Sequence, residues 1–281
     1  MAYLTFDVYS KALQRTVTLN AIVPLEAMKE KETLRTMILL HGVNGSYVNW
    51  LSITNISGSL ARHNAAAAAR GEKRLCILMP SAGNGFYRSV PHKNAAEWAK
   101  GEGYRQDYAA FFGEELISLM RRMLPLSGKK EDTMIAGLSM GGYGALMTAM
   151  QHPDTFGRCA GFSSALITRK SKEALEKSGF YGQEAFLEAL YEDFDAAKQS
   201  PDADAEAAIL SLAAKKDGRL PSIEFYCGTE DALLDLSREL DKDLEVNSVA
   251  HRYGEHSGGH DWVFWQWALD QTLSHWEEDF E

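Results

Sequence analysis

The 281-residue sequence lacks several features that mark specialised classes of protein. No apolar run approaches the roughly 20 residues that cross a bilayer. We therefore expect no membrane-spanning helix and no association with a membrane. The first residues, MAYLTFDVYSKALQRTVTLNAIV, have no basic start followed by an apolar core and a small-residue cleavage site. We therefore expect a cytoplasmic location.

Cysteine and positive charge are also scarce. The cysteines Cys76, Cys159 and Cys227 lie in or beside apolar stretches, with neither a CxxC pair nor disulfide-like spacing, which predicts reduced core residues. The formal net charge is −10, and the densest basic clusters are the short stretches RRM and GKK. Because nucleic-acid binding needs a basic patch, we do not expect a nucleic-acid partner.

The chain does contain short β-rich runs that alternate with helical patterns, which is typical of a mostly parallel sheet with helices on both faces. The first two strands alternate apolar with polar residues and follow one another closely, so we predict an antiparallel edge hairpin. Strands are predicted at 3–9, 13–23, 35–41, 74–80, 132–137, 156–163, 221–227 and 248–253. Helices are predicted at 54–69, 105–123, 140–151, 203–215, 232–244 and 261–278.

No linker rich in glycine, serine or proline divides the chain, and no internal repeat is evident. We predict a single domain over residues 1–281. Between residues 164 and 219 the pattern weakens into a polar, acidic stretch with helical fragments. This insertion is either a lid or a set of solvated covering helices, and the residues favour neither. The oligomeric state is also open, and a homo-oligomer is one of the states allowed.

The stretch IAGLSMGGYGALMTAMQHP places Ser139 between a short apolar strand and a helix. Residues 137–141 fit the G-x-S-x-G nucleophile elbow. So sharp a turn brings strand and helix very close, so the positions two before and two after the serine cannot carry bulk. Gly137 and Gly141 meet that demand. A tight glycine turn without catalysis is the alternative interpretation.

A serine nucleophile needs a base, and the base needs an orienting group. In this architecture an acid and then a histidine follow the serine. The candidate acids are Asp231 and its neighbour Glu230, which come just after the apolar strand of SIEFYCGTED. For either acid, a place at a helix N-terminus is the structural alternative.

The candidate base is His260, where the glycine-rich loop of RYGEHSGGHDWVFWQW meets an aromatic helix. His256 is the alternative base, and a helix-cap role is the structural alternative for His260. The oxyanion of an acyl-transfer intermediate also needs donors. We predict the backbone N–H of Met140 as one donor and that of Val43 as the other, with Asn44 in reserve. His41 is expected to support that loop and not to act as a base.

The motifs LLHGVNGSYVNW, MPSAGNGFY, IAGLSMGGYGALMTAMQHPDTF, FSSAL, YCGTEDALL and GGHDW occur in this order. With them the chain resembles the esterase D group of α/β-hydrolases over nearly its whole length. It is most similar to the tributyrin esterases, and more distantly to S-formylglutathione hydrolases and antigen 85-type acyltransferases. The resemblance implies an α/β-hydrolase fold. It also implies the following roles: nucleophile Ser139, orienting acid Asp231, base His260, and oxyanion donors Val43 and Met140.

The resemblance further implies a serine carboxylesterase that hydrolyses short-chain acyl esters, with acetylated or feruloylated carbohydrate among the substrates and no metal or other cofactor. In S-formylglutathione hydrolases the equivalent of His41-Gly42 is usually Ser-Gly, and this departure argues against that activity. The predicted substrate-binding residues are Asn44, Asn84, Phe86, Tyr87 and Trp262. Apolar packing is the competing role for the aromatic ones.

Two other functions fit the same residues. In an acyltransferase, an alcohol instead of water would resolve the acyl-enzyme. A non-catalytic ligand-binding protein on a hydrolase fold is the alternative from a different class, since fold alone does not fix function. The presence of Ser139, Asp231 and His260 together favours an enzyme over this last alternative.

Overall fold

Eight strands form one sheet in the computed structural model, which describes residues 1–30, 32–91, 105–166 and 204–276. They are β1 Ala2–Ser10, β2 Arg15–Val23, β3 Arg35–Leu40, β4 Leu75–Pro80, β5 Thr133–Leu138, β6 Arg158–Phe162, β7 Ser222–Gly228 and β8 Arg252–His256. Their order across the sheet is β1-β2-β4-β3-β5-β6-β7-β8. β2 runs antiparallel to both neighbours, and from β4 onwards all neighbours are parallel.

The edge hairpin is confirmed: β1 pairs with β2 from Ala2 opposite Val23 to Ser10 opposite Arg15. The central strands β3, β4 and β5 are buried along nearly their whole length. Both of their faces are covered, which explains why their sequences are continuously apolar and do not alternate. Ile38 and Leu40 belong to the core on one face, and Met37 and Leu39 to the core on the other.

Helices cover both faces. They are α1 Leu25–Glu30, α2 Asn49–Ile53, α3 Ile56–Arg70, α4 Tyr108–Ala110, α5 Leu116–Met123, α6 Met140–Gln151, α7 Ala205–Ala213, α8 Leu234–Val246 and α9 Trp262–Ser274. The segment Phe111–Glu115 joins α4 to α5 as a π-helical turn, so the single helix predicted at 105–123 is interrupted. The short helices α1 and α2 were not predicted. In the described part of the chain no helix has the length and apolar character needed to cross a membrane.

Seven predicted strands agree with the structure to within two residues at each end, but the eighth was wrong. It was predicted at 248–253 and lies at Arg252–His256. Helix α8 runs to Val246, and the chain then turns through Ser248, whose φ is +55°. Val249 closes that turn by donating its N–H to the carbonyl of Leu244 over 2.9 Å and is buried there. Its apolar side chain belongs to the end of the helix and not to a strand.

The insertion predicted at 164–219 is described only in part. Helix α7 begins after Asp204, whose carboxylate caps it by accepting the N–H of Ala207 over 2.9 Å. Residues 167–203 lie outside the described part of the chain.

Candidate active site

Ser139 lies between β5 and α6 in a strained backbone conformation, with φ +54° and ψ −118°. A positive φ is unfavourable for a residue with a side chain and needs support from its surroundings. That support comes from β6 and the residues after it. The N–H of Ser139 donates to the carbonyl of Phe162 over 2.8 Å, and its carbonyl accepts the N–H of Ala165 over 3.0 Å.

The glycines that flank the serine are sterically required, as predicted. A Cβ on Gly137 would lie 2.4 Å from the carbonyl oxygen of Gly141, and a Cβ on Gly141 would lie 2.6 Å from the carbonyl oxygen of His41. Because these obstacles are backbone atoms, no side-chain rearrangement can make room. The strand-to-helix turn that places the serine hydroxyl beside His260 depends on both glycines.

The structure brings Ser139, His260 and Asp231 together. The Ser139 Oγ lies 3.0 Å from His260 Nε2. The other ring nitrogen, Nδ1, lies 2.9 Å from Asp231 Oδ2 and 3.2 Å from Oδ1. An ionised carboxylate only accepts hydrogen bonds, so Nδ1 carries the proton in the neutral ring. Nε2 is then free to accept the hydroxyl proton of the serine, which is the geometry of a nucleophile, a base and an orienting acid.

Asp231 is ionised despite its burial. Its side chain has 0% exposed surface. Burial opposes ionisation, but the hydrogen bonds from His260 and from the N–H of Leu233 outweigh it, so the pKa of Asp231 lies below its ordinary value. The buried negative charge holds the imidazole ring in place and would stabilise its positive charge after proton transfer.

The rival acid and the rival base have other partners. Glu230 is exposed and accepts the N–H of Gly258, which ties down the glycine-rich loop before His260. His256 is exposed, and its ring stacks on Trp267 with a centroid distance of 4.4 Å. Neither side chain joins the Ser139 group.

The structure also tests the helix-cap roles that were the alternatives for His260 and Asp231. The N-cap of α9 is Asp261, which accepts the N–H groups of Val263 and Phe264 over 2.9 and 3.1 Å. His260 is therefore not needed as a cap. Asp231 does accept the N–H of Leu233 over 2.9 Å just before α8, so it supports that helix start and contacts His260 at once.

The loop after β3, residues 41–45, passes beside the nucleophile. A Cβ on Gly42 would lie 3.4 Å from the Cβ of Ser139. The N–H of Asn44, the reserve oxyanion donor, is occupied, because it donates to Oδ1 of Asn84 over 2.8 Å. Within the described residues the N–H of Val43 has no acceptor. Met140 is the first residue of α6, where N–H groups have no partner inside the helix.

His41 supports this loop from inside, as expected. Its Nε2 accepts the N–H of Ala82 over 3.0 Å, so Nδ1 carries the proton and donates to the carbonyl of Gly42 over 2.7 Å. Burial lowers the pKa of His41 below its ordinary value. The ring is a neutral structural group. The contact with Ala82 was not predicted, because no local sequence pattern signals a bond between two loops.

The predicted substrate-binding residues divide into two groups. Phe86 and Tyr87 are buried, and their rings pack towards the elbow helix: Phe86 lies 6.1 Å from Tyr143, and a Cβ on Gly144 would lie 2.4 Å from the ring of Tyr87. Their burial favours the competing role of apolar packing. The others lie nearer to solvent: Asn44 and Asn84 are exposed, and Trp262 is half-buried.

Three tryptophans form a T-shaped series beside the base. The ring of Trp262 lies 5.3 Å from Trp50 and 5.1 Å from Trp265. Trp265 in turn lies 5.0 Å from the ring of His260, almost perpendicular to it. The sequence predicted a substrate-binding role for Trp262 alone among these three tryptophans, and it did not identify the contact between Trp265 and the base. In the described ranges no group of three or more His, Cys, Asp or Glu side chains is arranged to hold a metal ion.

Comparison with known proteins finds similar esterases. Residues 10–276 match the family described as "Putative esterase". The chain is 32% identical over 273 residues to an acetyl esterase of Caldicellulosiruptor saccharolyticus, with 94% of each chain covered. Among solved structures it is similar to an S-formylglutathione hydrolase of Staphylococcus aureus, with 22% identity, 98% of each chain covered and a TM-score of 0.76. A ferulic acid esterase gives 21% identity, coverage of 98% of this chain and 97% of the other, and a TM-score of 0.75. The fold is therefore that of the α/β-hydrolase esterases.

Proposed function

Since the chain belongs to this esterase family and is a carboxylic ester hydrolase, we propose that it is a serine carboxylesterase that works through an acyl-enzyme. The observation that carries the proposal is the continuous chain of contacts from Ser139 Oγ to His260 Nε2, at 3.0 Å, and from His260 Nδ1 to Asp231, at 2.9 Å. These three side chains follow three different strands, β5, β7 and β8, and are joined by consecutive hydrogen bonds.

In the first half-reaction, Nε2 of His260 takes the proton of Ser139 as Oγ attacks the ester carbonyl. The carbonyl oxygen becomes negative and is held by the N–H groups of Met140 and Val43. Removing one such donor typically costs about 100- to 1000-fold in rate. The imidazolium formed on His260 is stabilised by Asp231 and then gives its proton to the departing alcohol, which leaves the acyl group on Ser139.

In the second half-reaction, water attacks the acyl carbonyl. His260 takes a proton from the water, and the same N–H groups hold the new oxyanion. When this intermediate collapses, the bond to Ser139 Oγ breaks, the imidazolium returns the proton to Oγ, and the carboxylic acid is released. No step needs a metal ion or another cofactor.

We propose short acyl groups, and acetyl first, as the acyl part of the substrate. The relative that is 32% identical is named an acetyl esterase, and a structural neighbour is named a ferulic acid esterase. These names support acetyl and feruloyl groups as the acyl part. We further propose a carbohydrate as the alcohol part, with the half-buried Trp262 as an aromatic wall of the site. A likeness to the tributyrin esterases of the esterase D group is part of this proposal. A panel of p-nitrophenyl esters of increasing acyl length, with acetylated and feruloylated sugars, tests it.

The proposed organisation is a single domain, because one sheet takes its strands from residues 2 to 256. We also propose a cytoplasmic location. Cys76, Cys159 and Cys227 are all buried and free, which suits a reducing compartment.

Substitution of Ser139 by alanine tests the mechanism. We expect hydrolysis of p-nitrophenyl acetate and butyrate to fall by several orders of magnitude, because the acyl-enzyme can no longer form. Covalent labelling by a fluorophosphonate probe should disappear at the same time. Activity retained within about tenfold of the wild type would show that Ser139 is not the nucleophile.

A further inference from the structure

The loop after β3, residues 41–45, is bound to the loop after β4, residues 81–88, at two levels. At the buried level, His41 Nε2 accepts the N–H of Ala82 over 3.0 Å, and the hydroxyl of Tyr87 donates to the carbonyl of His41 over 2.9 Å. At the exposed level, one carboxamide makes two bonds to one residue. Asn84 Oδ1 accepts the N–H of Asn44 over 2.8 Å, and Asn84 Nδ2 donates to Asn44 Oδ1 over 2.8 Å.

The two exposed hydrogen bonds between Asn84 and Asn44 hold a turn in the loop after β3. The N–H of Gly45 donates to the carbonyl of Gly42 over 3.0 Å, which closes a four-residue turn with Val43 and Asn44 at its centre. Asn44 has φ +59°. A positive φ at the third position is typical of a type II turn, whereas a type I turn has a negative φ there. The two turn types differ by a flip of the peptide between the two central residues, which reverses the direction of the Asn44 N–H.

Asn84 favours one of these two arrangements. It accepts the Asn44 N–H only when that peptide points towards it, and its second bond holds the Asn44 side chain in the same place. An N–H directed at Asn84 is not available to the oxyanion, so the donor from this loop is the N–H of Val43. On its other side Val43 is fixed by Gly42, which packs against Leu138 and Ser139.

We propose that Asn84 is a positioning residue of the oxyanion hole. It acts through Asn44 by holding the turn that carries the Val43 N–H, the proposed oxyanion donor, in a single conformation. The inference rests on the proposed serine mechanism and assigns Asn84 a role other than direct contact with substrate. Because an oxyanion donor acts in the transition state, loss of this control lowers kcat and leaves KM nearly unchanged.

Two substitutions separate the two bonds. Asn84→Leu has a similar size and removes both of them. Asn44→Gly tolerates the positive φ and retains the backbone bond to Asn84, but loses the side-chain bond. The matched control is Asn247→Leu, which makes the same chemical change at an exposed carboxamide whose Nδ2 donates to the carbonyl of Asp243 in α8.

For Asn84→Leu we expect kcat for p-nitrophenyl acetate to fall about 10- to 100-fold, on the scale of an ångström-size misplacement at an active site, with KM within about threefold of the wild type. Asn44→Gly should lose less, about three- to tenfold, because the main-chain bond persists. Asn247→Leu should keep both constants. Thermal unfolding of each variant verifies that it is folded.

A second measurement excludes a merely structural role. A trifluoromethyl ketone forms a tetrahedral adduct with the serine and places an oxyanion in the hole, whereas 4-nitroacetanilide, the amide analogue of the substrate, is bound without one. In Asn84→Leu the affinity for the ketone should fall by the same factor as kcat/KM, and that for the amide should not change. If the leucine variant does not fold, the same measurements on Asn44→Gly decide the question.

Three results would overturn the proposal: a folded Asn84→Leu variant with kcat within twofold of the wild type, a rise in KM alone, or an unchanged affinity for the ketone. The first means that the turn holds without Asn84, and the second means that Asn84 contacts substrate. A failure of the serine mechanism is recognised separately, because wild-type protein would then not react with the ketone or with a fluorophosphonate.

Discussion

Substitution of Gly137 by alanine would test how closely the elbow is packed. The added Cβ would lie 2.4 Å from the carbonyl oxygen of Gly141, 2.5 Å from its carbonyl carbon and 2.8 Å from the Cβ of Leu40. Normal contacts are about 3.3 Å between carbon and oxygen and about 3.5 Å between two carbons, so the shortfall is about 0.7 to 1 Å. All of these neighbours are backbone or Cβ atoms, so β5 and the start of α6 must move apart.

Two consequences follow, and they are measured separately. Overpacking against rigid backbone costs about 3 kcal/mol, partly offset by about 0.4–1 kcal/mol from the stiffer unfolded chain, so the free energy of unfolding should fall by about 2 to 3 kcal/mol. Urea unfolding at 25 °C measures this change. The movement also carries Ser139 away from His260, and a displacement near 1 Å should lower kcat/KM for p-nitrophenyl butyrate about 100-fold.

Gly128→Ala is the matched control. Gly128 is exposed, and a Cβ there would meet nothing within 4 Å. The same added methyl group should change the free energy of unfolding by less than about 0.5 kcal/mol and leave activity unchanged. If Gly137→Ala proves as stable and as active as Gly128→Ala, the close approach of strand and helix is not what holds the serine in place.

Two further predictions concern charge. Asp231→Asn preserves the shape of the acid but favours the wrong tautomer of His260, so kcat for p-nitrophenyl butyrate should fall by about 10⁴-fold with little change in KM; a loss smaller than tenfold would contradict the orienting role. The second concerns three histidines whose pKa is lowered by burial. Below about pH 6.5 the unfolded chain binds protons at these residues that the folded protein does not bind. The free energy of unfolding should therefore fall by about 1 to 3 kcal/mol between pH 7.5 and 5.5. Urea titrations at both pH values measure it, and equal stability would refute the assignment of these residues as neutral in the folded protein: the buried His41 and His63 and the half-buried His152.

The parts of the site that were predictable are those that depend on local chain geometry. The elbow needs small residues two positions before and two positions after Ser139. This requirement can be recognised from five consecutive residues, Gly137 to Gly141. The strands buried on both faces are apolar throughout, so their positions were also visible. Asp231 could be preferred over Glu230 only through resemblance to a family, because both acids follow the same strand.

The parts that were not predictable depend on which side chains meet across the fold. Phe86 and Tyr87 have positive φ values of 52° and 57° and are buried, although they stand in a glycine-rich loop that suggests an exposed rim. Asn44 and Asn84 are 40 residues apart and meet through two specific hydrogen bonds. No periodicity of apolar residues reports such a contact, since periodicity encodes the face of an element and not its polar partners.

The sheet order nevertheless explains why these two loops meet. From β3 the chain crosses to β4 on one side, and from β4 it crosses back to β5 on the other side of β3. This reversal is a topological switch point, and ligands bind outside the carboxyl ends of the strands at such points in open α/β sheets. The loop after β3 therefore has the elbow on one flank and the loop after β4 on the other. An oxyanion donor in this loop would contact both neighbours, so the topology supports the proposed control of Val43 by the loop that carries Asn84.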